Sequence, residues 1–138
     1  MRNKNSKKRK EAEKRGYRSS LELEVAKDLE KYNINPKLIY ECLVLNYIIP
    51  ESKKKYTPDY VLPNGIIVEV KGYWSLEDRK KFLYVRESNP DKDIRMVFQN
   101  SKNKLRKSSK TTYSDFCIKN NIIFAEKKIP LNWIFEKK

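Results

Sequence analysis

The chain has 138 residues and a formal charge of +14, from 32 Lys and Arg against 18 Asp and Glu, and it contains no histidine. That length fits one domain, and the missing histidine excludes a His-activated nucleophile, a His general base and His-ligated zinc. Cys42 and Cys117 form no CxxC pair, which excludes a Cys-rich zinc site and a disulfide-dense scaffold and makes two free thiols in a reducing cytosol the simpler reading.

In chain order, residues 1–17 are expected to form a basic, mobile arm. Nine Lys or Arg and two Glu fall within residues 1–18, with almost no apolar content, and that density of like charge suits phosphate contact. No apolar segment follows, so the arm is no signal peptide. Leu21, Val25, Leu29 and Tyr32 recur at helical spacing, with Ser19-Ser20-Leu21-Glu22 as a capping box and Asn33–Pro36 as the stop. Residues 38–49 are apolar and β-rich and predict one or two strands before Pro50. Tyr60–Leu62 and Ile66–Lys71 read as paired strands, Ser75–Glu87 as a helix and Asp93–Gln99 as a strand. A Ser/Asn/Thr-rich loop then carries Lys102, Lys104, Arg106, Lys107 and Lys110, before a short helix at Tyr113–Asn120 and a strand at Ile122–Ala125. This mixture predicts an α/β domain with a central sheet. Hydrophobic residues at 38% suffice for a core, while no apolar run approaches the ~18 residues of a membrane span. A basic domain of this kind has polyanions as partners, nucleic acid first.

The chemistry concentrates in one hairpin. Pro63-Asn64-Gly65 suits a three-residue loop, with Gly at the left-handed position. The register then sets Leu62 against Ile66, Val61 against Ile67, Tyr60 against Val68 and Asp59 against Glu69. Two carboxylates share one face with Cβ atoms ~5 Å apart, and Lys71 projects from that same face. Opposed like charges destabilise a sheet unless a cation compensates them, and carboxylate and main-chain oxygens are the ligands that Mg²⁺ prefers. A lysine beside the metal orients a water or stabilises charge on a phosphate. Pro-Asp also occurs at Pro90-Asp91, and Glu-x-Lys at Glu51/Lys53, Glu126/Lys128 and Glu136/Lys138. Only the Glu69/Lys71 copy lies in an apolar β-run with a Pro-Asp in register. A two-residue Asn64-Gly65 turn is the alternative; it shifts the register by one and separates the two acids. A surface hairpin with solvated polar residues is the other alternative.

These residues resemble the PD…(D/E)xK signature of the restriction-endonuclease-like superfamily. The strings YTPDYVLPNGIIVEVKGYW, DRKKFLYVRESNPDKDIRMVF, TYSDFC and IPLNWI are more specific: from about Tyr17 to Ile134 the chain resembles the phage endonuclease I family of junction-resolving enzymes. The resemblance implies a mixed central sheet flanked by helices, within an intertwined, segment-swapped homodimer. It implies a nuclease domain over 18–138, with residues 18–46 packing on the partner chain and 47–52 as the crossing strand. Asp59, Glu69 and the Val70 main-chain carbonyl are implied as metal ligands, Lys71 as the active-site lysine, and Glu22, in Arg18-Ser19-Ser20-Leu21-Glu22, as a further catalytic and metal-binding carboxylate acting on the partner's site. The family can carry another functional glutamate where this chain has Ile39; Glu41 is the nearest acid.

The implied activity is Mg²⁺-dependent hydrolysis of phosphodiesters in four-way (Holliday) junctions and other branched DNA, leaving 5′-phosphate and 3′-hydroxyl ends. Mn²⁺ is expected to support it, and no small-molecule cofactor or membrane partner is expected. The implied location is the cytoplasm, the host's for a phage-encoded protein. Lys7, Lys8, Arg9, Lys10, Lys14, Arg15 and Arg18 of the arm, with Lys102, Lys104, Arg106 and Lys107, are the expected DNA contacts. The rivals are a mismatch or restriction-type nuclease with the same acids, and a basic nucleic-acid-binding protein without chemistry. Tyr17, Tyr56, Tyr60 and Tyr73 flank the expected site as stacking or packing residues, and Trp74 and Trp133 read as core or interface anchors.

Overall fold

The Pro63-Asn64-Gly65 loop fixes the register of the central hairpin. In a computed structural model, which describes residues 4–49 and 51–138, Gly65 adopts the left-handed backbone (φ 91). The Leu62 N–H donates to the Ile66 carbonyl at 2.8 Å. Tyr60 then pairs with Val68 and Val61 with Ile67, the register that a three-residue loop dictates and a two-residue turn would break.

The chain runs α1 (Lys4–Lys14), α2 (Ser20–Glu30), α3 (Pro36–Ile39), β1 (Leu45–Ile49), β2 (Ser52–Tyr56), β3 (Tyr60–Val61), β4 (Ile67–Lys71), α4 (Leu76–Ser88), β5 (Ile94–Phe98), α5 (Tyr113–Lys119), β6 (Phe124–Glu126) and α6 (Leu131–Ile134). A four-stranded mixed sheet has the order β3-β4-β5-β6, and β1 and β2 form a separate antiparallel pair. β3 and β4 are antiparallel, whereas β4, β5 and β6 are parallel. A parallel neighbour requires a crossover, which α4 supplies between β4 and β5.

Period-two alternation sends β4 to both sides of the sheet. Ile67 joins Met96 and Phe98 in a core with Trp74, Phe82, Val85, Tyr113 and Cys117. Val68 and Val70 join Val97 in a second core with Leu21, Val25 and Leu29 of α2 and with Trp133 and Ile134 of α6. Glu69 and Lys71 share the Ile67 face, as the alternation predicts. Both tryptophans are core residues. Among the described residues, no helix is long and apolar enough to cross a membrane.

Four segments differ from expectation. The basic arm is helical from Lys4 to Lys14 and ends in a Schellman motif: Gly16 takes φ 89, the Tyr17 N–H donates to Ala12 O at 2.8 Å and the Gly16 N–H to Glu13 O at 3.1 Å. Buried Ala12 and Tyr17 pack it on Leu23 and Ala26 of α2. Leu38 and Ile39, expected in a strand, belong to α3 instead, because Asn35 caps that turn by accepting from Lys37 N and Pro36 presets its first residue. β2 forms although Lys53, Lys54 and Lys55 are exposed, since its pairing with β1 is carried by the main chain. α6 was not expected as a separate element. Residues 1–3 of the arm and Pro50 of the expected crossing strand lie outside the described residues.

Candidate active site

Three segments deliver the acids. β4 carries Glu69 and Lys71; the short run before β3 carries Asp59; and the first turn of α2 carries Glu22. All four residues, with Val70, Arg18, Glu41 and Tyr56, line one cavity of about 590 Å³. The residues expected to act together are therefore brought together within a single chain. Glu22 stands beside the same chain's Asp59: one carboxylate oxygen from each of Glu22, Glu41 and Asp59 falls in a group spanning no more than 4.8 Å.

Each carboxylate is individually held. Asp59 Oδ2 accepts from the Val70 N–H at 2.8 Å. Glu69 accepts a hydrogen bond from the Tyr56 phenol on Oε2, and its Oε1 lies 3.8 Å from Lys71 Nζ. Glu22 Oε1 accepts from Ser19 Oγ at 3.0 Å and its Oε2 from the Tyr40 phenol at 2.6 Å. Ser19 also caps α2 by accepting from Glu22 N at 3.1 Å, so helix start and acid position are set by one residue. Lys71 lies 3.8 Å from Asp78 of α4 as well, which keeps its ammonium at the rim. Arg18 is ion-paired with Glu41 and reaches within 3.8 Å of Asp59 Oδ1.

Burial sets the electrostatics. Asp59 and Glu69 are 6% and 7% exposed, and charge in such a place is costly unless it is compensated. Burial, then the charge of Glu69, pushes the Asp59 carboxyl up to about 8, against the opposing Val70 N–H. Burial also raises Glu69, although the Tyr56 hydroxyl and Lys71 oppose it. Burial and the adjoining Glu69 drive the Tyr56 phenol well above its ordinary value, so it is a neutral donor. Two adjacent buried acids that resist ionisation, with hard oxygen donors and no sulfur or imidazole, fit a divalent cation such as Mg²⁺.

A second cavity of about 600 Å³ adjoins the first through Arg18, Ser19 and Gly72, and Lys8 and Arg9 of α1 line it. Lys7, Lys10 and Lys14 are exposed on the same helix. Arg15 is half-buried and bound to Glu30 at 2.8 Å, so it braces α1 against α2. Lys102, Lys104, Arg106 and Lys107 are exposed on a loop held by hydrogen bonds from Leu105 N to Thr111 O at 2.9 Å and from Tyr113 N to Asn103 O at 2.9 Å. Of the flanking tyrosines, Tyr17, Tyr56 and Tyr60 are buried and Tyr73 is 77% exposed. Tyr40 and Lys81 were not expected at the site, and Asp78 was expected only as the capping partner of Ser75, whose hydroxyl accepts from Asp78 N at 3.0 Å. Glu41, left without a role, lies in the cleft with a left-handed backbone (φ 48). Its N–H donates to Asp59 O at 2.9 Å.

The whole chain can be set against known proteins on this geometry. The family model for phage endonuclease I matches residues 2–138. The chain belongs to the phage endonuclease I family. It is 52% identical over 122 residues to Endonuclease I of Escherichia phage T7, a match that covers 88% of this chain and 80% of that protein. It is 49% identical over 124 residues to Endodeoxyribonuclease 1 of Enterobacteria phage T3, covering 90% and 80% respectively. The match spans the whole cleft, since Glu22, Asp59, Glu69 and Lys71 all fall within the matched residues.

Proposed function

We propose that this protein is a metal-dependent DNA endonuclease that hydrolyses phosphodiesters in four-way junctions and other branched DNA, leaving 5′-phosphate and 3′-hydroxyl ends. The observation that carries the reading is the buried Asp59–Glu69 pair with Lys71 beside it, at the meeting of a carboxylate-lined cavity and a cationic one. The names of the phage T7 and T3 relatives support nuclease activity.

Asp59, Glu69 and the Val70 carbonyl, with Glu22, are the residues that would hold Mg²⁺ or Mn²⁺. When bound, the metal supplies Lewis acidity toward the attacking water and the leaving 3′-oxygen. Lys71 neutralises charge that develops on the phosphate and helps to place the water. Lys7, Lys8, Arg9 and Lys10 of α1 with Arg18, together with the exposed Lys102, Lys104, Arg106 and Lys107, hold backbone phosphates, so affinity falls steeply with salt. Selectivity for branched DNA comes from shape: a two-fold dimer presents two basic channels and two sites to a junction.

Two features support such a homodimer. Leu38, Val44 and Ile48 are apolar yet 75%, 54% and 60% exposed, as surfaces awaiting a partner are. The connection between Ile49 and Ser52 is two residues long, and Glu51 takes φ 81 within it. A short hinge under strain favours segment exchange. Opening it would carry the chain up to Ile49 to a partner and place Glu22 at the partner's Asp59 through the contacts now made in one chain. The reading places the protein in the host cytoplasm.

The test is Glu69→Gln. The variant is expected to bind a four-way junction in Ca²⁺ as the natural protein does, and to lose more activity than the roughly 10–100-fold that removal of an outer partner costs a metal site. Unchanged cutting would place the chemistry elsewhere.

A further inference from the structure

We propose that Tyr56 is a positioning residue for the bound cation, holding one oxygen of Glu69 so that the other is presented in a fixed orientation. This rests on the reading of the cleft as a metal-dependent nuclease site. Tyr56 closes β2, and its ring belongs to the core that contains Tyr47, Trp74 and Phe82, so the phenol has little freedom to turn. Its hydroxyl donates to Glu69 Oε2, leaving Oε1 as the oxygen 3.8 Å from Lys71 Nζ.

Asp59 repeats the pattern. Its Oδ2 accepts from the Val70 N–H at 2.8 Å, and its Oδ1 is the oxygen that Arg18 approaches to 3.8 Å without a hydrogen bond. Both acids are thus tied on one oxygen by a neutral donor. A cationic donor there would compete with a divalent ion for the same charge, whereas a phenol or an amide orients the carboxylate and leaves its charge intact. A glutamate also loses several rotamers when it is fixed, and Tyr56 makes that loss part of folding, before the ion arrives. Tyr56 stands three residues before Asp59, so one segment delivers a ligand and the residue that orients the opposite ligand.

Tyr56→Phe keeps the ring that fills the core and removes only the hydroxyl. Mn²⁺ binding to the full chain is measured by titration calorimetry, beside the Mg²⁺ concentration that gives half-maximal junction cleavage. The expected result is a roughly 10–100-fold weaker Mn²⁺ affinity and a parallel rise in the Mg²⁺ requirement, with junction binding in EDTA unchanged. In a Glu69→Gln background, the same change is expected to have no further effect on Mn²⁺ affinity. Natural Mn²⁺ affinity in Tyr56→Phe overturns the inference, as does an equal loss in both backgrounds, which would mark a general packing effect. If the natural chain itself binds no Mn²⁺, the nuclease reading falls and this inference with it.

Discussion

Asp59 is where burial and function oppose each other most directly. Its carboxyl is pushed up to about 8 by burial and then by Glu69, so between its ordinary value near 4 and about 8 the folded state without metal binds more protons than the unfolded state. Stability in EDTA therefore falls as pH rises through that window, the reverse of the usual carboxylate trend. Asp59→Asn removes this penalty. Thermal unfolding in EDTA at pH 8 should show the variant melting several degrees above the natural protein, while cleavage is lost; an unchanged or lower melting temperature would contradict the assigned burial cost. The same proton couples to the ion, because a ligand must ionise to bind it. Calorimetry at pH 7 in buffers of different ionisation enthalpy should show protons released on Mn²⁺ binding, and the release should diminish as pH rises. Ser19 is tested separately. It caps α2 and donates to Glu22 at 3.0 Å, so Ser19→Ala should cost about 1 kcal/mol in urea unfolding and should lower cleavage further than that loss explains.

At the scale of elements, segments with an apolar pattern or a cap were legible and the remaining polar ones were not. α2 carries apolar residues at helical spacing, α4 opens on the Ser75 cap, β4 and β5 are short apolar-rich runs buried on both faces, and the hairpin loop fixed the pairing that brings Asp59 to Glu69. α1 contains one buried residue, Ala12, so no periodicity announced it; Gly16 as a helix stop was the available signal. β2 reads Ser-Lys-Lys-Lys-Tyr, a solvated run by composition, held by main-chain pairing that no side-chain pattern reports. Tyr40 and Tyr56 escaped notice as holders of Glu22 and Glu69 because a tyrosine near a site reads equally well as core, and only the distances separate the two roles. Glu41 depends on a left-handed backbone that sequence does not mark at a glutamate. The helical form of α1 has its own consequence: Lys7, Lys8, Arg9 and Lys10 form a rigid cationic element beside the cleft. Replacing all four with Gln should leave Mg²⁺ dependence unchanged and reduce the slope of log affinity against log salt by up to about 0.9 for each phosphate that is no longer neutralised. An unchanged slope would remove α1 from the DNA interface.

For the whole molecule, a charge of +14 on 138 residues attracts any DNA, so selectivity has to come from geometry. Light scattering should give the mass of two chains. The arrangement of the dimer is tested by mixing a Glu22→Gln chain with a Glu69→Gln chain. If Glu22 completes the partner's site, the mixed dimer holds one intact site and regains single-strand nicking of the junction. If each chain completes its own site, both sites carry a lesion and no activity returns.

The most direct test of the account is cleavage of an end-labelled four-way junction beside a linear duplex of matching sequence, in Mg²⁺ and in EDTA. The account predicts paired cuts near the branch point in Mg²⁺, none in EDTA and none in the linear control. Tight junction binding without cutting in either Mg²⁺ or Mn²⁺ would contradict it and leave a DNA-binding protein whose buried acids do no chemistry.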